Sequence, residues 1–184
     1  MEIQSIHYDP TTVVETSQGN KVSKAAHICG SQNIMLAGNS ILFEDVTVRG
    51  DLGAIRIGKH SVVRERAIIR PPVKRFTPTP AFMQITIGDC VMIEQDCIVS
   101  AAVIGSYVHI GKGCVIGNRV IIKECAVVLD GAVIPEDQTV PSFAVVAGNP
   151  AQIVKTAPES TQILMKDAMK QFYHAYSRES ADHS

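Results

Sequence analysis

Residues 104–134 read IGSYVHIGKGCVIGNRVIIKECAVVLDGAVI, and an aliphatic residue opens each successive group of six: Ile104, Ile110, Ile116, Ile122, Val128 and Ile134. The step continues through Val140 and Val146. Six fits neither the helical repeat of about 3.6 residues nor the two-residue alternation of an ordinary strand. A short strand plus a turn does fill six residues and makes one flat side of a prism. Three sides close a coil, and the next coil stacks about 4.8 Å away through backbone hydrogen bonds.

Working outward, Ile87, Ile93 and Val99 keep the step and reach Ile104 by a step of five. Ile57, Val63 and Ile69 keep it earlier, and before them Ile28, Ile34, Ser40, Val46 and Leu52, again joined by a step of five. The fourth residue after each aliphatic also points inward and must be small. Ser61, Ala67, Val91, Cys97, Val108, Cys114, Val120, Ala126, Ala132 and Ala144 comply. Gly58, Gly88, Gly105, Gly111 and Gly117 follow the aliphatic, where a tight corner is expected to use a positive φ. The pattern predicts an all-β solenoid, a parallel β-helix of hexapeptide repeats with about six coils over 1–154. Residues 1–27 are expected to cover its first coil.

Two segments depart from the pattern. Residues 71–86, PPVKRFTPTPAFMQIT, hold Pro71, Pro72, Pro78 and Pro80, which withhold donors from the ladder and predict a protruding loop. Beyond AGNPAQIV at 147–154 the period becomes helical. Met165, Met169, Phe172 and Tyr176 form one stripe, with Leu164, Ala168 and Tyr173 beside it. This predicts a C-terminal α-helix within 155–178, packed on the outside of the prism. Thr156 and Glu159 are placed for a capping box around Pro158. Residues 179–184 are expected to be a disordered tail.

Composition narrows the function. Of 184 residues, 46% are hydrophobic but only 5% aromatic, with no tryptophan, so Val, Ile, Ala and Cys must build the core. The net charge of −1 offers no basic excess for nucleic acid or an anionic membrane. No apolar run reaches the roughly 18 residues of a membrane span, so no membrane insertion is expected. The first residues, MEIQSIHYDPTTVVE, show no apolar core of signal-peptide length behind a basic start. Cys29, Cys90, Cys97, Cys114 and Cys125 contain no C-x-x-C pair and read as reduced, mostly buried thiols.

Catalytic readings find little support. His109 is expected to have no neighbouring carboxylate to hold its ring, Glu94 and Asp96 read as a solvated rim, and Arg49, Asp51 and Arg56 as a charge network at a coil edge. RGDLGAIRIG at 49–58, LDGAVIP at 129–135 and AGNPAQIV at 147–154 resemble segments of the γ-class carbonic anhydrases. That family holds zinc with three histidines, and the matching positions here are Arg70, Gln95 and Ser100. A guanidinium is no substitute for an imidazole ligand, and an amide and a hydroxyl are poor ones. No metal, cofactor or catalytic residue is expected.

Longer strings are more discriminating. GNKVS at 19–23, CGSQNI at 29–34, RGDL at 49–52, IIRPPVKRF at 68–76, IGDCVMIEQDCIVSAA at 87–102 and IGSYVHIGKGCVIG at 104–117 occur in order. Together they resemble the dynactin subunit 5 family, from about residue 11 through the terminal helix. The hexapeptide families wind left-handed, so a left-handed β-helix is implied. The resemblance further implies a non-catalytic scaffold of the cytoplasm and cytoskeleton, in dynactin's pointed-end assembly, supporting dynein-dependent, microtubule-based transport. Implied partners are dynactin subunit 6 (a related β-helix), an actin-related protein, dynactin subunit 4 and dynein cargo adaptors, including those for endosomes. Lys74, Arg75, Phe76 and Phe82 are candidate partner-binding residues, cations and aromatics on a proline-stiffened loop. The same loop can instead fold back and bury both phenylalanines. The alternative function is a γ-carbonic-anhydrase-like or acyltransferase enzyme with its site between protomers.

Overall fold

A computed structural model describes residues 4–179. The expected disordered tail, 179–184, lies outside these residues except for Glu179. The chain winds as a left-handed parallel β-helix of six coils with a triangular section. Its first face is a nine-stranded sheet; the second and third faces have six strands each. Stacked coils pair in parallel, residue on equivalent residue, so inward side chains form columns. Val63, Ile93, Ile110, Val128 and Val146 line the first face. Ile69, Val99, Ile116 and Ile134 line the second, and Ile57, Ile87, Ile104, Ile122 and Val140 the third. All are buried, and so are the small residues at the fourth position. Each fully buried aliphatic contributes about 1.5–3 kcal/mol, so the stack rather than any one coil carries the stability.

The first coils run in a different phase from the one expected. Leu36 stacks on Ile57, Leu42 on Val63 and Val48 on Ile69. Ser40 and Val46 therefore hold the small fourth position, over Ser61 and Ala67, while Ile34 stacks on Ile55 and Leu52 sits in a turn. The glycines also serve a different purpose. A Cβ on Gly58 would lie 2.4 Å from the carbonyl oxygen of Gly88 in the next coil, so close backbone approach excludes a side chain. The left-handed backbone falls two residues later, at His60, Cys90, Tyr107 and Arg119.

Departures from the step of six gather on one edge, between the second and third faces. Extra residues enter between Ile28 and Leu36 (the 3-10 turn Ser31–Asn33), between Val48 and Ile57, and between Ile69 and Ile87. One residue is dropped between Val99 and Ile104. The other two edges keep the step throughout the six coils. At the last coil, Pro135 and Pro141 occupy the places where Gly117 and Lys123, one coil earlier, donate N–H groups to the adjacent coil. Proline has no such donor. The first face ends instead on an antiparallel return strand, Gln152–Thr156.

The C-terminal helix, α1, spans Thr161–Ala175. Ser160 caps it without a side-chain bond, and the capping box from Thr156 and Glu159 does not form because that stretch still belongs to the return strand and its turn. The helix lies on the first face, where Phe43 meets Phe172 and His60 meets Tyr173. The outward residues Ile41, Val62 and Met92 are buried there. Met169 and Tyr176 of the expected stripe are buried as well; Leu164 points away and is 59% exposed. Past α1, Tyr176–Arg178 pairs in parallel with Ile6–Tyr8 and ties the two ends of the chain together. Lys21 reaches under this junction. Its ammonium donates to the carbonyls of Tyr173 (3.3 Å) and Tyr176 and lies 4.1 Å from the centre of the Tyr173 ring. A cation at a helix C-terminus satisfies carbonyls that have no helical partner. Burial pushes both the Tyr8 and Tyr176 hydroxyls up to about 12, keeping them neutral.

Candidate functional site

Residues 71–84 form a short hairpin arm on the irregular edge. Val73 bridges Phe82, the Lys74 N–H donates to the Ala81 carbonyl at 2.7 Å, and the Met83 N–H donates to the Pro72 carbonyl at 2.8 Å. The arm lies down along the edge across the following coils. The Val73 N–H donates to the Asn118 side chain at 3.3 Å, and the Arg119 guanidinium donates to the Val73 carbonyl. Arg75 pairs with Glu136 at 3.0 Å and with Asp137. Arg119 joins the same two carboxylates at 3.2 and 2.7 Å. The Arg119 hydrogen bond holds the Asp137 carboxyl below the usual range.

The four candidate binding residues thus separate. Arg75 is engaged within the chain, and Phe82 is partly buried against the arm's own base. Lys74 and Phe76 face solvent, and Phe76 is 97% exposed. The loop folds back, yet it buries neither phenylalanine: Phe82 is partly covered and Phe76 is exposed.

The three positions matching a zinc site do not converge. Arg70 and Ser100 stand one coil apart on the irregular edge, next to the paired Ile69 and Val99. Gln95 lies on a different edge, before the strand Ile98–Val99, where its amide donates to Glu65 at 2.7 Å. Glu65 also pairs with Arg64 at 3.1 Å. Burial favours its neutral form, but the bonds from Arg64 and Gln95 prevail and the pKa is lowered. Among the described residues, no three His, Cys, Asp or Glu side chains gather to hold a metal ion. The donor set here does not fit zinc.

Other candidates acquire plain partners. Glu94 and Asp96 do not act as a pair: Glu94 faces the His109 ring at 3.3 Å and Asp96 binds Arg66 at 2.8 Å. The sequence around His109 hides that carboxylate because it comes from the preceding coil. Arg49 and Asp51 pair at 2.9 Å, while Arg56 stands apart, on the third face between Met35 and Thr86. All five cysteines are free thiols, four of them buried. A cleft of about 700 Å³ opens between the N-terminal segment and the second and third coils, walled by Tyr8, Phe43, Arg64, Glu65 and Tyr176. Arg64 stacks 4.5 Å from the centre of the Phe43 ring and is paired with Glu65, so the two charges at the cleft's inner wall satisfy each other. No helix among the described residues is long and apolar enough to cross a membrane.

Comparison with known proteins agrees with this scaffold. A hexapeptide transferase family protein from Anaplasma phagocytophilum superposes with a TM-score of 0.66 at 19% identity, over 84% of this chain and 89% of that one, which shows the fold alone. The mitochondrial gamma carbonic anhydrase 2 of Arabidopsis thaliana is 18% identical over 163 residues, 89% of this chain and 57% of that protein. Dynactin subunit 5 of Dictyostelium discoideum is 41% identical over 106 residues, 58% of this chain and 54% of its own length. The chain spans about half the length of the curated relatives it matches. The family model described as dynactin subunit 5 matches residues 1–179, from the first strands through the terminal junction. The chain belongs to the dynactin subunit 5 family.

Proposed function

We propose that this chain is a non-catalytic subunit of dynactin, seated in the pointed-end assembly and supporting attachment of dynein to cargo adaptors, endosomal ones included. The observation that carries the reading is the family match along residues 1–179, joined to a β-helix whose zinc-ligand positions hold Arg70, Gln95 and Ser100 on two separate edges. A rigid prism with flat faces suits a part that others pack against. The partners in this reading are dynactin subunit 6, an actin-related protein and dynactin subunit 4, with adaptors reached through the arm bearing Lys74, Arg75, Phe76 and Phe82. Its place is the cytoplasm, on the cytoskeleton.

Affinity purification of the tagged full chain from its own cells tests this. The expected outcome is recovery of dynactin subunits in near-stoichiometric amounts, with no equivalent of zinc in the isolated chain. A metal-loaded homotrimer free of dynactin subunits overturns the reading in favour of a carbonic-anhydrase-like enzyme.

A further inference from the structure

The arm's tip holds a bulky aromatic in an unfavourable backbone state. Phe76 has φ 56° and is 97% exposed. Every other non-glycine residue with positive φ among the described residues sits at a coil corner, where stacked coils fix the backbone. A left-handed conformation for such a residue costs on the order of 1 kcal/mol, so the surrounding structure must impose it. The tether to Asn118 and Arg119 and the ion pairs of Arg75 with Glu136 and Asp137 supply that constraint from the fifth and sixth coils.

We propose that Arg75, Arg119, Glu136 and Asp137 form a latch that presents Phe76 as a preformed plug for an apolar socket rimmed by carboxylates on a partner protein. This deepens the docking role of the arm proposed above and rests on it. Charge sets the rim. Lys74 and Arg75 are the only charged residues in 71–86. Arg75, whose guanidinium lies 6.0 Å from the centre of the Phe76 ring, is neutralised by the latch, while Lys74, two residues before Phe76, is exposed with no salt bridge among the described residues. One unengaged cation on the same arm as one exposed ring suits a small acidic-rimmed pocket; a lipid surface calls for a basic cluster or a broad apolar face. An immobilised ring binds better because little freedom remains to be lost. Glu136 and Asp137 are therefore positioning residues, remote in sequence from the ring they hold in place.

Two measurements decide it. A photoreactive benzoyl-phenylalanine at position 76, in dynactin purified with the tagged chain, is expected to give one discrete protein adduct on illumination. Glu136→Gln with Asp137→Asn is expected to cut the adduct yield about five-fold while dynactin subunits still co-purify, since only preorganisation is lost. The chain lacks tryptophan, so Phe76→Trp supplies a sole tryptophan, excited apart from the four tyrosines; the latch variant should lower its anisotropy in the isolated chain. Three results each overturn the proposal: no adduct in an assembly that contains the chain, an adduct yield indifferent to the latch variant, or partitioning of the Phe76→Trp fluorophore into anionic vesicles in place of a protein adduct. Failure to co-purify with dynactin subunits refutes the functional reading instead, and the anisotropy still decides the latch.

Discussion

The first face and the edge opposite it are made from the same coils under opposite constraints. Beneath α1, the outward residues Ile41, Val62 and Met92 are buried, and both edges bordering that face keep the step of six. A helix seals only a flat wall, so one added residue there would lift it or break the register beneath. On the far edge no helix packs over the coils among the described residues; Ser31–Asn33, the turn after Arg49 and the arm emerge there, and the arm itself lies across the later coils. Tolerance to insertion follows what covers the coil, and the surface free to vary is also the one free to acquire a partner.

Moving an insertion between the two regions gives the largest effect. Two residues added between Arg64 and Glu65 should prevent cooperative folding, whereas two added between Thr79 and Pro80 should cost less than about 1 kcal/mol, as lengthening a surface loop does. Equal melting temperatures for the two variants would erase the distinction. Next in size is Lys21→Met. The methionine keeps the apolar stem but leaves the Tyr173 and Tyr176 carbonyls without their cation, so a loss of about 1–3 kcal/mol is expected. Faster hydrogen exchange confined to α1 and its junction would show that this lysine holds the seal.

The smallest effect depends on pH. His60 contacts Tyr173 of the helix and Asn39 of the coil, and its Nδ1 is buried without a partner. Burial, then Lys170 and His174, lower its pKa from 6.5, with Lys59 adding to this and Asp89 opposing it. The unfolded chain therefore binds the proton more readily. Stability is full above about pH 6.5 and falls as the pH drops towards the lower value of the folded state. Thermal melts between about pH 7.5 and 5 should show this slope, and His60→Gln should flatten it. An unchanged slope in that variant would remove His60 from the account.

Much of this fold is legible from the sequence because Ile104 through Val146 keep one phase. The phase slips earlier because each hexad has two inward positions. Ser40 and Val46 occupy the smaller one, and with Ile34 they mimic a continuation of the ladder from Ile28, which is a true rung stacked on Val48, although Leu36, Leu42 and Val48 are the rungs that follow it. The site is less legible, because its contacts are set by stacking. Arg75 reads as a free cation until Glu136 is brought against it from 61 residues away, and Glu94 reaches His109 from 15 residues away. Coil arithmetic recovers part of this: Arg119 and Asp137 lie 18 residues apart, one coil above the other. Nothing in the arm's own residues shows where the arm will lie.

The prolines at the last turn bear on how the molecule behaves in a crowded cell. Rungs of parallel strand are a natural template for growth, since each exposed rung invites another like it. With Pro135 and Pro141 at two of the three corners, and Gln152–Thr156 folded back along the first face, an arriving copy finds few amides to greet it. Runaway fibre formation is discouraged by backbone chemistry alone, which leaves the chain's outer walls free to evolve adhesive patches.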